Sequence, residues 1–147
     1  MPKNLSSIKK SYLAGFLDAD GSIYVQAKPN KTYRFGYQVA PYIVFYQSQK
    51  DLKNFRKVCS LIKIGHERLR KDGIAEYIIS RQEEIIYFLN LIESYVIMKK
   101  KQVLLLKKII SFKKKISNKK DFEKLIKLID KFRNLNYSKK RKTRSIY

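Results

Sequence analysis

From residue 13 to residue 21 the chain reads Leu13-Ala14-Gly15-Phe16-Leu17-Asp18-Ala19-Asp20-Gly21. Gly15 and Ala19 are four residues apart, so on a helix these small residues share a face that the backbone of a second helix can approach closely. Asp18 and Asp20 fall where that helix should end, because Gly21 is a favourable residue after a helix terminus. The helix dipole disfavours carboxylates at this end, and a hard divalent cation would compensate them. The run therefore predicts a helix with a packing face and a carboxylate site.

Composition predicts a folded domain that binds nucleic acid. At 147 residues the chain is expected to form a single domain over residues 1–147, with a basic C-terminal tail at about 137–147. A net charge of +22 and a pI of about 10.1 are typical of proteins that bind polyanions. The hydrophobic content of 44% excludes a disordered basic protein, and the single cysteine, Cys59, excludes an internal disulfide.

The sequence shows no signal peptide and no apolar segment long enough to span a bilayer, so we expect a soluble intracellular protein. Its frequent Lys, Ile and Asn residues suit an A/T-rich genome. The expected location is therefore a chloroplast or mitochondrion that encodes and retains the protein.

The spacing of apolar residues predicts an α+β fold with an αββαββα core and further C-terminal helices. A helix is expected from a cap at Ser6 or Ser7 to about Ala19, and the Asp72-Gly73 pair predicts a tight hairpin turn. Four antiparallel strands should form one sheet with helices on one face, and Pro41 should bend or bulge the second strand. The predicted strands span residues 22–28, 34–48, 66–70 and 74–80, and the later helices span 51–63, 82–97, 101–112 and 121–134.

The run at residues 13–21 resembles the signature of the LAGLIDADG homing endonucleases, with seven of nine letters identical. One copy of the motif resembles the homodimeric class encoded in group I introns, and the resemblance covers roughly residues 5 to 143. It implies that two motif helices pack together, with Gly15, Ala19 and Leu13 at the dimer interface. It also implies that Asp20 binds the catalytic metal, helped by the Ala19 carbonyl, whereas Asp18 is structural.

The same resemblance implies a reaction. The protein would cut both strands of a long, pseudo-palindromic DNA site across the minor groove, leaving short 3′ overhangs. Mg²⁺ would be the cofactor; Mn²⁺ is expected to substitute, and Ca²⁺ to bind without supporting cleavage. Metal-assisted hydrolysis of a phosphodiester at neutral pH needs charge neutralisation, an activated water and nearby cations.

Three residues are implied to support Asp20. Gln49 would organise the attacking water, Lys53 would be its basic companion, and Lys99 would lie near the scissile phosphate. Counting along the strand favours Gln47 instead of Gln49, and this alternative stays open. Gln49 is preferred because the number of residues from Gln49 to Gly65 then fits the intervening helix better.

Polar side chains on the outer face of the predicted sheet are the candidates for DNA contact, because Gln and Arg read adenine and guanine edges in the major groove. The lone histidine is expected to contact DNA rather than act as a general base. A basic segment in the tail would bind phosphates without reading sequence. The predicted DNA-binding residues are Tyr24, Gln26, Lys28, Asn30, Tyr33, Gln38, Tyr46, His66, Arg68, Arg70, Glu76, Ile78, Lys139, Lys140, Arg141 and Lys142.

Two other functions fit a basic chain of this kind. One is a maturase-like protein that binds group I intron RNA without cutting, which would add intron RNA to the partners. The other is a basic structural component of a ribonucleoprotein. The retained Asp20, Gln49, Lys53 and Lys99 favour the nuclease, because an RNA chaperone has no physical need of a carboxylate among phosphates.

Overall fold

The structure, a computed structural model, describes residues 4–136, so the tail residues Lys139, Lys140, Arg141 and Lys142 lie outside the described residues. The order of helices and strands confirms the predicted α+β arrangement. The helices are α1 (Ser7–Asp20), α2 (Leu52–Cys59), α3 (Gln82–Ile92), α4 (Lys100–Lys113) and α5 (Lys119–Leu135), and the strands are β1 (Gly21–Pro29), β2 (Tyr37–Ser48), β3 (His66–Leu69) and β4 (Ile74–Ile79).

The strands form one sheet in the order β1-β2-β4-β3, and β4 pairs antiparallel with both β2 and β3. In this register Glu76 lies opposite Tyr46 on one side and Arg68 on the other. Directly opposed residues in an antiparallel pair point to the same face of the sheet. Arg68, Glu76 and Tyr46 therefore lie on the same face of the sheet.

The chain divides into two compact units. The first comprises the chain up to Ser22 together with Tyr42–Lys100, and the second comprises Ile23–Pro41 together with the chain from Lys101. In the first unit Phe45 is fully buried, stacked on Phe16 at 5.0 Å between ring centroids and edge-on to Phe88 at 5.9 Å. Aromatic pairs of these geometries pack favourably, so they hold α1 and α3 against β2.

The first helix begins and ends as its residues predict. Ser6 caps α1 by accepting a hydrogen bond from Lys9 N at 3.3 Å. Gly21 follows the helix with an extended backbone, which any residue can adopt. Glycine is needed at this position because there is no room for a Cβ atom. A Cβ at Gly21 would lie 2.6 Å from Leu17 Cδ1 and 2.8 Å from the Leu17 carbonyl oxygen. The turn from α1 directly into β1 therefore requires glycine.

Two predicted helices are shorter than expected. A short 3-10 helix at Gln49–Asp51 precedes α2, which ends at Cys59 and not at residue 63. Lys63 and Gly65 both have positive φ, of 59° and 91°, so the chain leaves the helical conformation in this segment. Helix α3 ends at Ile92 rather than at residue 97, and the N–H groups of residues 97–99 bind Asp18 instead of continuing the helix.

The second strand also differs from its prediction. It begins at Tyr37 and not at residue 34, because Phe35 leaves the strand to stack on Phe122 at 5.0 Å. Burial alternates from Tyr37 to Ile43, so the strand continues on both sides of Pro41. Pairing with β4 begins only at Ile43, so the missing N–H of Pro41 removes no hydrogen bond from that ladder.

None of the helices in residues 4–136 is long and apolar enough to cross a membrane.

Candidate active site and nucleic-acid interface

The C-terminal end of α1 is fastened to the segment that precedes α4. One oxygen of the Asp18 carboxylate accepts hydrogen bonds from Ile97 N at 2.9 Å and Met98 N at 3.1 Å, and the other accepts one from Lys99 N at 3.0 Å. The amine of Lys99 donates to the main-chain carbonyl of Asp18 at 2.7 Å. Asp18 thus has a structural role in this fold, and Lys99 is held at the end of α1.

These contacts shift the ionisation of Asp18. Burial on its own would raise the pKa of the carboxyl, but the backbone N–H groups of Ile97, Lys99 and Met98, together with the Lys99 charge, hold the pKa below its ordinary value. The carboxylate is therefore the form that the fold requires. The Lys99 ammonium also lies where the helix dipole favours a cation.

Asp20, the last residue of α1, is exposed. Asp18 is occupied by main-chain donors, so the carboxylate left to face a ligand at this helix end is that of Asp20. No group of three His, Cys, Asp or Glu side chains suited to a metal occurs within residues 4–136. One carboxylate and the nearby Ala19 carbonyl are the kind of oxygen ligands that suit Mg²⁺, which prefers oxygen and keeps several of its waters.

The two candidate glutamines differ in their contacts. The amide nitrogen of Gln49 donates to the main-chain carbonyls of Arg70 at 2.7 Å and Ile74 at 3.0 Å, which ties the 3-10 helix to the turn between β3 and β4. Gln47 lies at the end of β2, and its Oε1 accepts from the adjacent Ser48 N at 2.9 Å. Gln49 therefore has a structural role. Among residues 4–136, the amide nitrogen of Gln47 makes no hydrogen bond that joins two elements.

Lys53 is exposed in the first turn of α2. Among residues 4–136, no hydrogen bond or ion pair joins Lys53 to Asp20 or to either glutamine. The structure thus brings together Asp20, Asp18 and Lys99, but gives Lys53 no direct link to them.

The exposed face of α1 contains Gly15 and Ala19, as predicted. A Cβ at Gly15 would meet nothing within 4 Å, so this face is open. Ile8 and Tyr12, 83% and 56% exposed, continue it toward the N-terminus. The spacing of residues 8, 12, 15 and 19 could have identified both from the sequence, because it is the period of one helix face.

The assignment of Leu13 to the dimer interface was wrong. Leu13 is fully buried in its own unit, as are Ala14 and Leu17. These positions fall on the core side of the helix, so they offer no surface to another chain.

On the sheet surface of the first unit, Glu76 is 9% exposed and lies between two arginines. Its carboxylate is 3.4 Å from Arg70 and 3.8 Å from Arg68, and Arg70 also pairs with Asp72. Burial and the Glu76 charge raise the pKa of the opposing Tyr46, although Arg70 counteracts them. This cluster presents two oriented guanidinium groups, with His66 exposed and Ile78 half-buried as its neighbours along the strands.

The candidates in the second unit lie on β1, on β2 and in the connection between them. Tyr24, Gln26 and Gln38 are half-buried, whereas Lys28 and Tyr33 are exposed. The Oε1 atom of Gln26 is buried without a hydrogen-bond partner among the described residues, and such an acceptor is costly unless a ligand donates to it.

Asn30 is committed to its own turn. Its side-chain oxygen accepts from Thr32 N at 3.0 Å and from Thr32 Oγ1 at 2.7 Å. Only the side-chain amide nitrogen of Asn30 is left for a base contact. If Asn30 contacts DNA as predicted, it can therefore donate a hydrogen bond to a base but not accept one.

Comparison with known proteins agrees with this geometry. A sequence model of the family described as LAGLIDADG endonuclease matches residues 13–114. The DNA endonuclease I-CreI of Chlamydomonas reinhardtii is 35% identical over 137 residues, which make up 91% of this chain and 82% of that protein. The chain belongs to the LAGLIDADG endonuclease family. The predicted family is therefore confirmed.

Other members of the LAGLIDADG family are similar in sequence and fold. The DNA endonuclease I-CvuI of Chlorella vulgaris is 31% identical over 137 residues, which make up 91% of this chain and 83% of that protein. A crystal structure of I-CvuI with the I-CreI target and magnesium, in which the DNA is not cleaved, matches with a TM-score of 0.84 and 27% identity. It covers 92% of this chain and 86% of that one, which confirms the predicted fold class.

Proposed function

We propose that this chain is a site-specific homing endonuclease that makes a metal-dependent double-strand break in a long, pseudo-palindromic DNA target. The observation that supports this most directly is the end of α1, where the exposed Asp20 lies two residues from the carbonyl that binds the Lys99 amine. Family membership and the DNA endonuclease activity named for I-CreI and I-CvuI support the same reaction.

Asp20 would hold the cofactor with the Ala19 carbonyl, and the I-CvuI complex, obtained with magnesium, supports a divalent cation. Bound Mg²⁺ would neutralise charge on the scissile phosphate and lower the pKa of a bound water. We propose that Mn²⁺ substitutes and that Ca²⁺ binds without supporting cleavage.

The remaining groups act around that phosphate. Lys99 exchanges its bond to the Asp18 carbonyl for the phosphate oxygens as negative charge develops there. A glutamine amide orients the attacking water, and we propose Gln47 for this role because the Gln49 amide bridges the hairpin. Lys53, exposed in the first turn of α2, adds positive charge to this site.

Recognition would follow the outer face of the sheet. In the first unit Arg68 and Arg70, oriented by Glu76, would donate to guanine edges, with Tyr46, His66 and Ile78 beside them. In the second unit the unpaired Gln26 acceptor would receive a hydrogen bond from a base. Further contacts there are proposed for Tyr24, Lys28, Asn30, Tyr33 and Gln38.

A homodimer would complete the enzyme. One motif per chain supplies one Asp20, and cutting two strands needs two such sites. An isologous contact of the exposed α1 faces, through Ile8, Tyr12, Gly15 and Ala19, would bring both copies to one axis. Single-domain behaviour, a group I intron as the coding context and an organelle as the location are proposed from sequence alone.

The test is incubation of the purified protein with a library of random or intron-insertion-site DNA, with and without Mg²⁺, followed by sequencing of new ends. Metal-dependent double-strand cuts at a near-palindromic site are expected. Specific binding to folded intron RNA without DNA cleavage would instead establish the maturase-like function and overturn the proposal.

A further inference from the structure

The connection between β1 and β2, residues 30–36, has a defined shape; we call it the tip loop. Asn30 N donates to the Gly36 carbonyl at 2.8 Å, and Gly36 N donates to the Tyr33 carbonyl at 3.0 Å. Gly36 has a φ of 80°, a backbone conformation that residues other than glycine rarely adopt. Together with the side-chain bonds of Asn30, these contacts close the loop on itself.

The tip loop is also joined to α5 by an aromatic stack. The Phe35 ring lies 5.0 Å from the Phe122 ring at an interplanar angle of 19°, and the Arg34 guanidinium lies 5.0 Å from the Phe35 centroid. Tyr37, the first residue of β2, lies 6.3 Å from Phe122. Offset stacking and cation–π contact are both favourable, so guanidinium and rings form one connected group.

Phe122 is itself held firmly at the start of α5. It is 5% exposed, and its N–H donates to the Asn118 carbonyl at 3.2 Å. The Asn118 side chain caps the helix by accepting from Asp121 N at 2.8 Å. The ring therefore belongs to a rigid helix terminus, whereas Phe35 belongs to a loop.

The space beside the stack is not completely filled. A cavity of about 160 Å³ is lined by residues that include Tyr33, Phe35, Lys113 and Phe122. The Lys113 amine donates to the Val39 carbonyl at 2.9 Å, and burial lowers the pKa of this amine. Phe35 would have room to shift into this cavity if the Phe122 ring were removed, so the stack determines where the loop sits.

We propose that Phe122 is a positioning residue for base selection: through Phe35 it sets the position of the tip loop against DNA. The inference rests on the proposed function, in which Asn30 and Tyr33 face base pairs. Base readout depends on hydrogen bonds that tolerate little displacement, so a loosened loop loses affinity for the preferred bases while the contacts to phosphates are kept. Phe122 touches no reacting group and acts only through the loop.

The first test needs no DNA. Phe122→Leu is compared with Phe132→Leu, which makes the same change at another buried ring of α5. Amide hydrogen exchange of Thr32, Tyr33 and Gly36 should become at least tenfold faster in Phe122→Leu and stay within threefold of the parent in Phe132→Leu. Equal exchange of these amides in the two variants would overturn the proposal. Phe35→Leu, at a half-buried loop position, should give the same result if Phe122→Leu does not fold.

The second test measures base preference at every position of the target. Phe122→Leu should relax selectivity at one contiguous block of base pairs in each half-site, with the cleavage rate of the saturated parent target within twofold. Phe122→Tyr, which keeps the ring, should restore the parent profile. A uniform loss across the site, or an unchanged profile, would overturn the inference. If the parent protein selects no DNA at all, the proposed function fails, while the exchange result still decides whether Phe122 holds the loop.

Discussion

The Lys99 amine donates a 2.7 Å hydrogen bond to the main-chain carbonyl of Asp18, while the Asp18 carboxylate binds the main-chain N–H groups of Ile97, Met98 and Lys99. The two residues are 81 positions apart in sequence. This reciprocal contact places a cation beside the helix end that bears Asp20, and it gives Asp18 a structural role that differs from the metal-binding role proposed for Asp20.

Replacing Asp18 with Asn should weaken the fold and displace Lys99. Hydrogen bonds to a charged group contribute more than neutral ones, so we expect a loss of about 1–3 kcal/mol in the free energy of unfolding, measured by urea denaturation at pH 7. DNA cleavage should fall more than DNA binding. Unchanged stability would contradict the role assigned to Asp18.

The same variant has a predictable pH dependence. The folded protein lowers the pKa of Asp18 below the ordinary 3.8, so the carboxylate's stabilisation is present above 3.8 and is lost as the pH falls through the lower folded value. The stability difference between the parent and Asp18→Asn should therefore be constant near neutrality and shrink below pH 3.8. If the stability difference between the two proteins instead grew as the pH fell, the lowered pKa of Asp18 would be refuted.

Asp20→Asn should bind its target normally but lose cleavage by more than about 100-fold, because a metal ligand is removed. Gel-shift and single-turnover cleavage assays separate the two effects. Glu123→Gln, which removes an exposed charge from α5, is the control and should change neither. A variant that still cuts efficiently would disprove the metal assignment.

The two glutamines can be separated by parallel substitution. Gln47→Ala should lower the single-turnover cleavage rate at least tenfold with little change in melting temperature, as expected for a group that orients water. Gln49→Ala should mainly lower stability, because it loses bonds to the Arg70 and Ile74 carbonyls. The reverse pattern would restore Gln49 as the active-site residue.

Gly15→Leu should abolish dimerisation and leave the monomer folded. A Cβ atom at this position meets nothing within 4 Å in its own chain, but a leucine side chain would prevent the close approach of a second helix. Sedimentation velocity and circular dichroism measure the two properties, with Ser111→Leu, an exposed change on α4, as the control. An active, dimeric Gly15→Leu protein would rule out this interface.

Alanine at Lys139, Lys140, Arg141 and Lys142 together should weaken binding to specific and unrelated DNA alike. If all contact phosphates, the slope of log affinity against log salt should decrease by about 3.6, since each phosphate contact contributes about 0.9. A change confined to the specific site would mean that these residues read bases.

Local sequence predicted much of the architecture. The small-residue spacing of Gly15 and Ala19, the alternation from Ile23 to Ala27 and the Asp72-Gly73 turn each depend on neighbours within a few positions. Helix and strand periods are local properties, so these patterns could be interpreted from the chain alone. The order of helices and strands and the family followed from them.

The bounds were harder to predict where distant groups compete. Helix α3 stops at Ile92, and the N–H groups of residues 97–99 bind Asp18 instead of continuing the helix. Strand β2 starts late because Phe35 stacks on Phe122. Asp18 and Phe122 are each far in sequence from the residues that they bind, so a pattern over neighbouring residues cannot reveal these contacts.

By itself, the sequence determined the α+β order, the motif that defines the family and the surplus of positive charge that suits a polyanion. Only the tertiary structure decided that Asp18 is occupied by main-chain donors while Asp20 is exposed, and that Phe122 stacks on Phe35, 87 positions earlier in the chain. The physical reason is that a helix period shows which residues share a face, but packing between distant segments decides which face is buried and which polar groups are already satisfied.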